Sequence, residues 1–127
     1  MAVTASPVIH TIVHVEVPSK DPAKLTGFYS KVFGWQFGTA PGMETYHMAQ
    51  TSEGGAGFAI NAYEEGQTLV NYIGVPDAKA HALKVTAAGG TISHSFSIAH
   101  MGHGAVGADP EGNPIGIWQQ DESATDS

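Results

Sequence analysis

The sequence predicts an α+β fold of two βαβββ modules, near residues 8–62 and 68–120. Three observations carry that expectation. Polar and apolar residues alternate through VIHTIVHVEVP (8–18), which is the period of a half-buried strand. The next stretch, SKDPAKLTGFYSKVFG, changes to helical spacing. The same order then returns in TLVNYIGVPDAKAHALKVTAAGGTI (68–92): a strand ending Val-Pro, an aspartate, a helix and a glycine stop. Pro18 is matched by Pro76 and Gly34 by Gly90, offsets of 58 and 56 residues.

On the first strand Ile9, Thr11, Val13, Val15 and Val17 share one face, and His10, Ile12, His14 and Glu16 share the other. The valine face is expected to pack and the second face to stay polar; a slip of one residue would exchange them. In the helix, expected over 21–33, Ser19 or Asp21 is placed to cap and Pro22 suits the first turn. Leu25, Phe28, Tyr29 and Val32 recur at helical spacing until Gly34 stops it. WQFGTA, ETYHMAQT and GAGFAINA read as three short strands, separated by PGM and SEGG turns. The second helix is expected over 77–88, followed by strands TISHSFSI, HGAVGAD and PIGIWQQ. DPEGNP, before the last strand, is a turn by its chemistry: Asp109 can accept from the backbone, Pro110 presets the bend, and Gly112 and Asn113 tolerate positive φ. The small, polar ends, 1–7 and 121–127, are expected as flexible tails on a single domain spanning 8–120.

Composition limits the partners. Hydrophobic residues make up 42% of the 127 and charged residues 13%, the balance of a globular chain rather than a disordered one. A net charge of −7 with only five Lys and Arg opposes nucleic acid and anionic membrane as partners, because both are held through clustered cations. A cationic or neutral small molecule suits that charge better. With no cysteine, thiolate nucleophiles, thiolate metal sites and disulfides are all excluded. No apolar run approaches the roughly 18 residues of a membrane span. MAVTASPV lacks the basic-then-apolar order of a signal peptide, so a cytoplasmic location is expected.

HVEVPSKDPAKLTGFYSKVFGW, VPDAKAHALKVTAAGGTI and DPEGNPIGIWQ together resemble the vicinal oxygen chelate superfamily, which includes glyoxalase I, bleomycin resistance proteins and extradiol dioxygenases. The similarity runs over about residues 9–120. It implies the glyoxalase/bleomycin resistance fold, in which the two modules form a cup-shaped mixed sheet, and a homodimer. It also implies a metal in many members, with histidine or glutamate drawn from the first and fourth strands of each module. Here the first strand offers His14, the corresponding strand of the second module offers Tyr72, and Gly116 stands where a last glutamate would fall. One ligand of four does not make a site. The expectation is therefore a glyoxalase-like domain that binds a small molecule in the cup between the modules, with no cofactor. The alternative is a metal-dependent lyase or isomerase of the lactoylglutathione lyase type, in which scattered histidines assemble a non-standard nickel, zinc, iron or manganese site, His14 among them.

The candidate ligand-binding residues are His14, Tyr46, His47, Tyr72, His103 and Trp118, with Glu16 as candidate catalytic base. A carboxylate in a partly apolar cup has its proton affinity raised, which suits a base; the same residue also reads as a solvated strand position. Tyrosines in strands serve packing as well as ligands. His81 reads as a helix-face residue, and His10 as either a fraying end or a functional group. SEGGAGF and MGHGAVG lead into no helix, so they read as turns or close approaches rather than phosphate loops.

Overall fold

A computed structural model describes residues 9–52 and 54–126. The first strand, β1 (Ile12–Ser19), is followed by α1 (Pro22–Phe33), β2 (Gly38–Ala40), β3 (Met43–Gln50) and β4 (Gly57–Ala62). The order repeats as β5 (Val70–Gly74), α2 (Ala78–Ala87), β6 (Thr91–Ile98), β7 (Gly102–Ala108) and β8 (Pro114–Gln120). This is the α+β class that the sequence predicts, with β6 and β8 at the predicted bounds. His14–Val70 form one compact unit; residues 71–126 with the leading segment 9–13 form another.

Local chemistry accounts for the helix ends. The Asp21 carboxylate accepts from the Lys24 N–H at 3.2 Å and that of Asp77 from Ala80 N–H at 3.0 Å, so both helices start on an aspartate N-cap. Ser19 plays a different part, its hydroxyl accepting from the Asp21 N–H at 3.1 Å. α1 stops where Gly34 turns left-handed, at φ 76°, and returns its N–H to the Ser30 carbonyl at 2.8 Å.

In the first unit the strand order is β2-β3-β4-β1, with β1 parallel to β4 and the other pairs antiparallel. Val15 lies opposite Phe58 and Val17 opposite Ile60, both of which are buried, so the valine face of β1 packs as expected. α1 covers that face: the Tyr29 and Trp35 rings sit 4.9 and 5.0 Å from the Phe58 ring. Phe33, by contrast, is exposed beside Trp35.

The second unit repeats the plan as β6-β7-β8-β5, with β5 parallel to β8. Val75, Ala78, Ala105 and Ile117 form its core, with Ala82 of α2 and Ile92 packed against them. The turn before β8 is closed by Asp109, which accepts from the N–H groups of Glu111 and Asn113 and from Asn113 Nδ2. Residues 121–126 lie back over the β6–β7 turn. His100 N–H donates to the Ala124 carbonyl, Ala99 N–H donates to the Asp126 carboxylate, and Ala124 is buried.

Candidate functional site

Strand register sorts the candidate residues. In the first unit His14 lies opposite Gly57 and Glu16 opposite Ala59 across the β1–β4 pair, and Tyr46 lies opposite Asn61 across β3–β4. All of them project from the face away from α1. There His14 Nε2 and the Tyr46 hydroxyl meet at 2.9 Å, with the two rings nearly parallel, 14° apart. Burial disfavours the imidazolium form, so the pKa of His14 lies below its usual 6.5. At neutral pH the pair is therefore an uncharged imidazole bonded to a phenol. A phenol both donates and accepts. Glu16 is half-buried on this face. His47 is not on it: it pairs with Ile60 and shares the side packed by α1.

The corresponding face of the second unit is built differently. Tyr72 lies opposite Gly116, Gly74 opposite Trp118, and Gly104 opposite Trp118 and Phe96. Here rings lie over glycines. A Cβ at Gly116 would come within 2.5 Å of the Tyr72 ring, one at Gly104 within 2.5 Å of Phe96, and one at Gly102 within 2.7 Å of Trp118. Gly104 and Gly116 are thus where the backbone must be bare for an aromatic to cross it, whereas at Gly102 and Gly107 the nearest obstacles are the backbone carbonyls of Gln119 and Thr91. Tyr72 is buried and Trp118 half-buried.

The family's metal positions can be tested against this geometry. They fall on His14 and on β4, which carries no histidine or carboxylate, in one unit, and on Tyr72 and about Gly116 in the other. Three of these four offer no imidazole or carboxylate, and the Tyr72 ring fills the space a longer side chain at 116 would need. Among the described residues, no three His, Asp or Glu side chains come together in a way that could hold an ion. The residues present do not fit the family's metal.

His103 pairs with Ser97 and Gln119, so the register places it on the α2 side of its sheet, opposite to Tyr72 and Trp118. Its Nδ1 lies 2.7 Å from the Ser97 hydroxyl and its Nε2 2.9 Å from the Asp121 carboxylate. The Ser123 hydroxyl, then the His103 ring, hold the Asp121 carboxyl down to about 2. Sequence reading singled out neither Ser97 nor Asp121. Both partners of His103 come from register and from the path of residues 121–126, for which a lone serine and aspartate give no signal.

The family assignment rests on a direct match. A family model described as a glyoxalase-like domain fits residues 13–118, most of the chain. The chain belongs to this glyoxalase-like family, within the vicinal oxygen chelate superfamily. It is 32% identical over 115 residues to proteins of Mycobacterium bovis and Mycobacterium tuberculosis that carry the name "Putative glyoxylase CFP32". The alignment takes in 83% of this chain but 44% of theirs, so the chain spans less than half the length of these curated relatives. Among solved structures it is similar to a glyoxalase/bleomycin resistance protein/dioxygenase superfamily member from Vibrio splendidus. There the TM-score is 0.61 and the identity 16%, over 84% of this chain and 96% of that one. It is likewise similar to methylmalonyl-CoA epimerase from Mycobacterium tuberculosis, with TM-score 0.64 and 12% identity over 95% of this chain and 93% of that one. At such identities the likeness fixes the glyoxalase/bleomycin resistance fold.

Proposed function

We propose that this glyoxalase-like domain binds a small molecule through the polar face of its first unit and does so without the family's metal. The observation that carries the reading is the 2.9 Å bond between His14 and Tyr46 on a half-buried strand face. An uncharged imidazole–phenol pair is suited to orienting a ligand oxygen or amine by hydrogen bonds. It is poorly suited to anchoring a dianion. The net charge of −7 favours a cationic or neutral ligand in the same way. Glu16, two residues along the same face, is the group placed to take a proton from a bound ligand, should the domain be catalytic.

Mycobacterial methylmalonyl-CoA epimerase acts, by its name, on a coenzyme A ester; small-molecule binding by this fold is thereby supported, although the charge of the present chain argues against so anionic a ligand. The reading places the domain in the cytoplasm; among the described residues no helix is long and apolar enough to cross a membrane. A homodimer is part of the same reading. Phe28 and Val32, one helical turn apart on α1, are 54% and 55% exposed, with Phe33 beside them at 57%; this apolar strip suits burial against a second copy.

A screen of small cationic and neutral compounds by thermal shift tests the binding claim. For any hit, His14→Ala and Tyr46→Phe should each weaken affinity by about tenfold, roughly 1.4 kcal/mol, with the fold intact. Unchanged affinity in both variants would refute it. Sedimentation at micromolar concentration tests the dimer, and a persistent mass of 13.2 kDa would rule it out.

A further inference from the structure

His10 and His81 are 71 residues apart in sequence, yet their Nε2 atoms lie 3.3 Å from one another. Their ring centroids are 5.4 Å apart and the planes are tilted by 55°. A direct N–H···N bond prefers a separation nearer to about 3.0 Å. Two imidazole nitrogens bound to one tetrahedral ion at roughly 2.0–2.1 Å stand about 3.3–3.4 Å apart.

Two further observations fix the pair for that role. His81 Nδ1 lies 3.2 Å from the Asp77 carbonyl oxygen, one turn back along α2. A carbonyl only accepts, so Nδ1 carries the proton and Nε2 presents its lone pair toward His10. Metal-binding histidines use this tautomer and this outer hydrogen bond. His10 sits at φ 59°, a left-handed conformation that costs a non-glycine residue energy, and its N–H is held by the Gly74 carbonyl at 2.6 Å. Both lie in the same unit, His10 exposed and His81 half-buried, so an ion has a path in and water to complete its shell.

We propose that His10 and His81 form a two-histidine site for a borderline divalent cation such as Zn²⁺, Ni²⁺ or Cu²⁺. An ion there ties the segment leading into β1 to α2 and stabilises that unit by mass action. The site uses neither His14 nor any family metal position, and it stands independently of the small-molecule reading.

Tag-free protein titrated with Zn²⁺ or Ni²⁺, followed by calorimetry and thermal melting, tests it. The expected result is saturable binding of one ion per chain with a rising midpoint. His10→Gln and His81→Gln should each weaken it by about tenfold or more. His14→Ala and His103→Ala should leave it unchanged. The ion-free midpoints of the variants report whether they fold. No saturable binding, or binding that survives both His10→Gln and His81→Gln, would overturn the proposal.

Discussion

The two units put the same strand plan to opposite uses. In each, a ring-bearing residue near the start of the first strand faces a glycine of the fourth: His14 faces Gly57, and Tyr72 faces Gly116. In the first unit that position is polar and paired with a phenol. In the second the Tyr72 ring lies against bare backbone at Gly116, as the Phe96 ring does at Gly104. The difference teaches that the repeat preserves backbone register while the chemistry at matched positions is free to diverge. The first unit places an imidazole at that position and the second a buried phenol, and neither retains the pair of ligands a metal would need.

Substituting the second unit's glycine should have the largest effect. Gly116→Ala puts a Cβ 2.5 Å from a buried ring, and overpacking of this kind costs about 1–3 kcal/mol. Chemical denaturation would read that loss, and an unchanged midpoint would mean that the ring is not seated on the glycine. Next is the hydroxyl of the first unit's pair. Tyr46→Phe leaves the aromatic body and removes the hydrogen bond to His14, whose loss costs about 0.5–1.5 kcal/mol by the same measurement.

Two pH effects are smaller. The folded pKa of His14 is depressed below the usual 6.5 of the unfolded chain. The stability tied to its neutral form is therefore complete above pH 6.5 and is lost as pH falls through the lowered folded value. Melting curves between pH 7 and roughly pH 5 should fall more steeply for the wild type than for His14→Gln, which cannot titrate there. Parallel curves would deny the burial of this ring. Asp121 is depressed from 3.8 to about 2, so its contribution is present above pH 3.8 and fades as pH approaches 2. Asp121→Asn should lower stability at neutral pH, flatten the acid limb of the profile, and converge with the wild type as pH approaches 2.

Much of the fold was legible because the signals were local. The Asp-Pro start and glycine stop of α1, the alternation of β1 and the Asp109 turn each depend on a few adjacent residues. The site was legible only in part. His14 and Glu16 could be assigned to one face of one strand by parity. Tyr46 and His47 are neighbours on β3 and so cannot both point the same way, which the alternation rule alone implies. His103 against Trp118 is another matter. Their faces depend on which residue of β7 pairs with which of β8, and register is set by the fold rather than by either strand. The His10–His81 approach is further still from view, since it joins a left-handed residue before β1 to the middle of α2.

Elemental analysis of purified protein beside its His14→Ala variant tests most directly the claim that the first unit's polar face works without metal. The account predicts that metal content is the same in the two preparations, whatever the His10–His81 pair has taken up. About one equivalent of zinc, nickel, iron or manganese present in the wild type and lost on His14→Ala would contradict it and place the domain with the metal-dependent members of its superfamily.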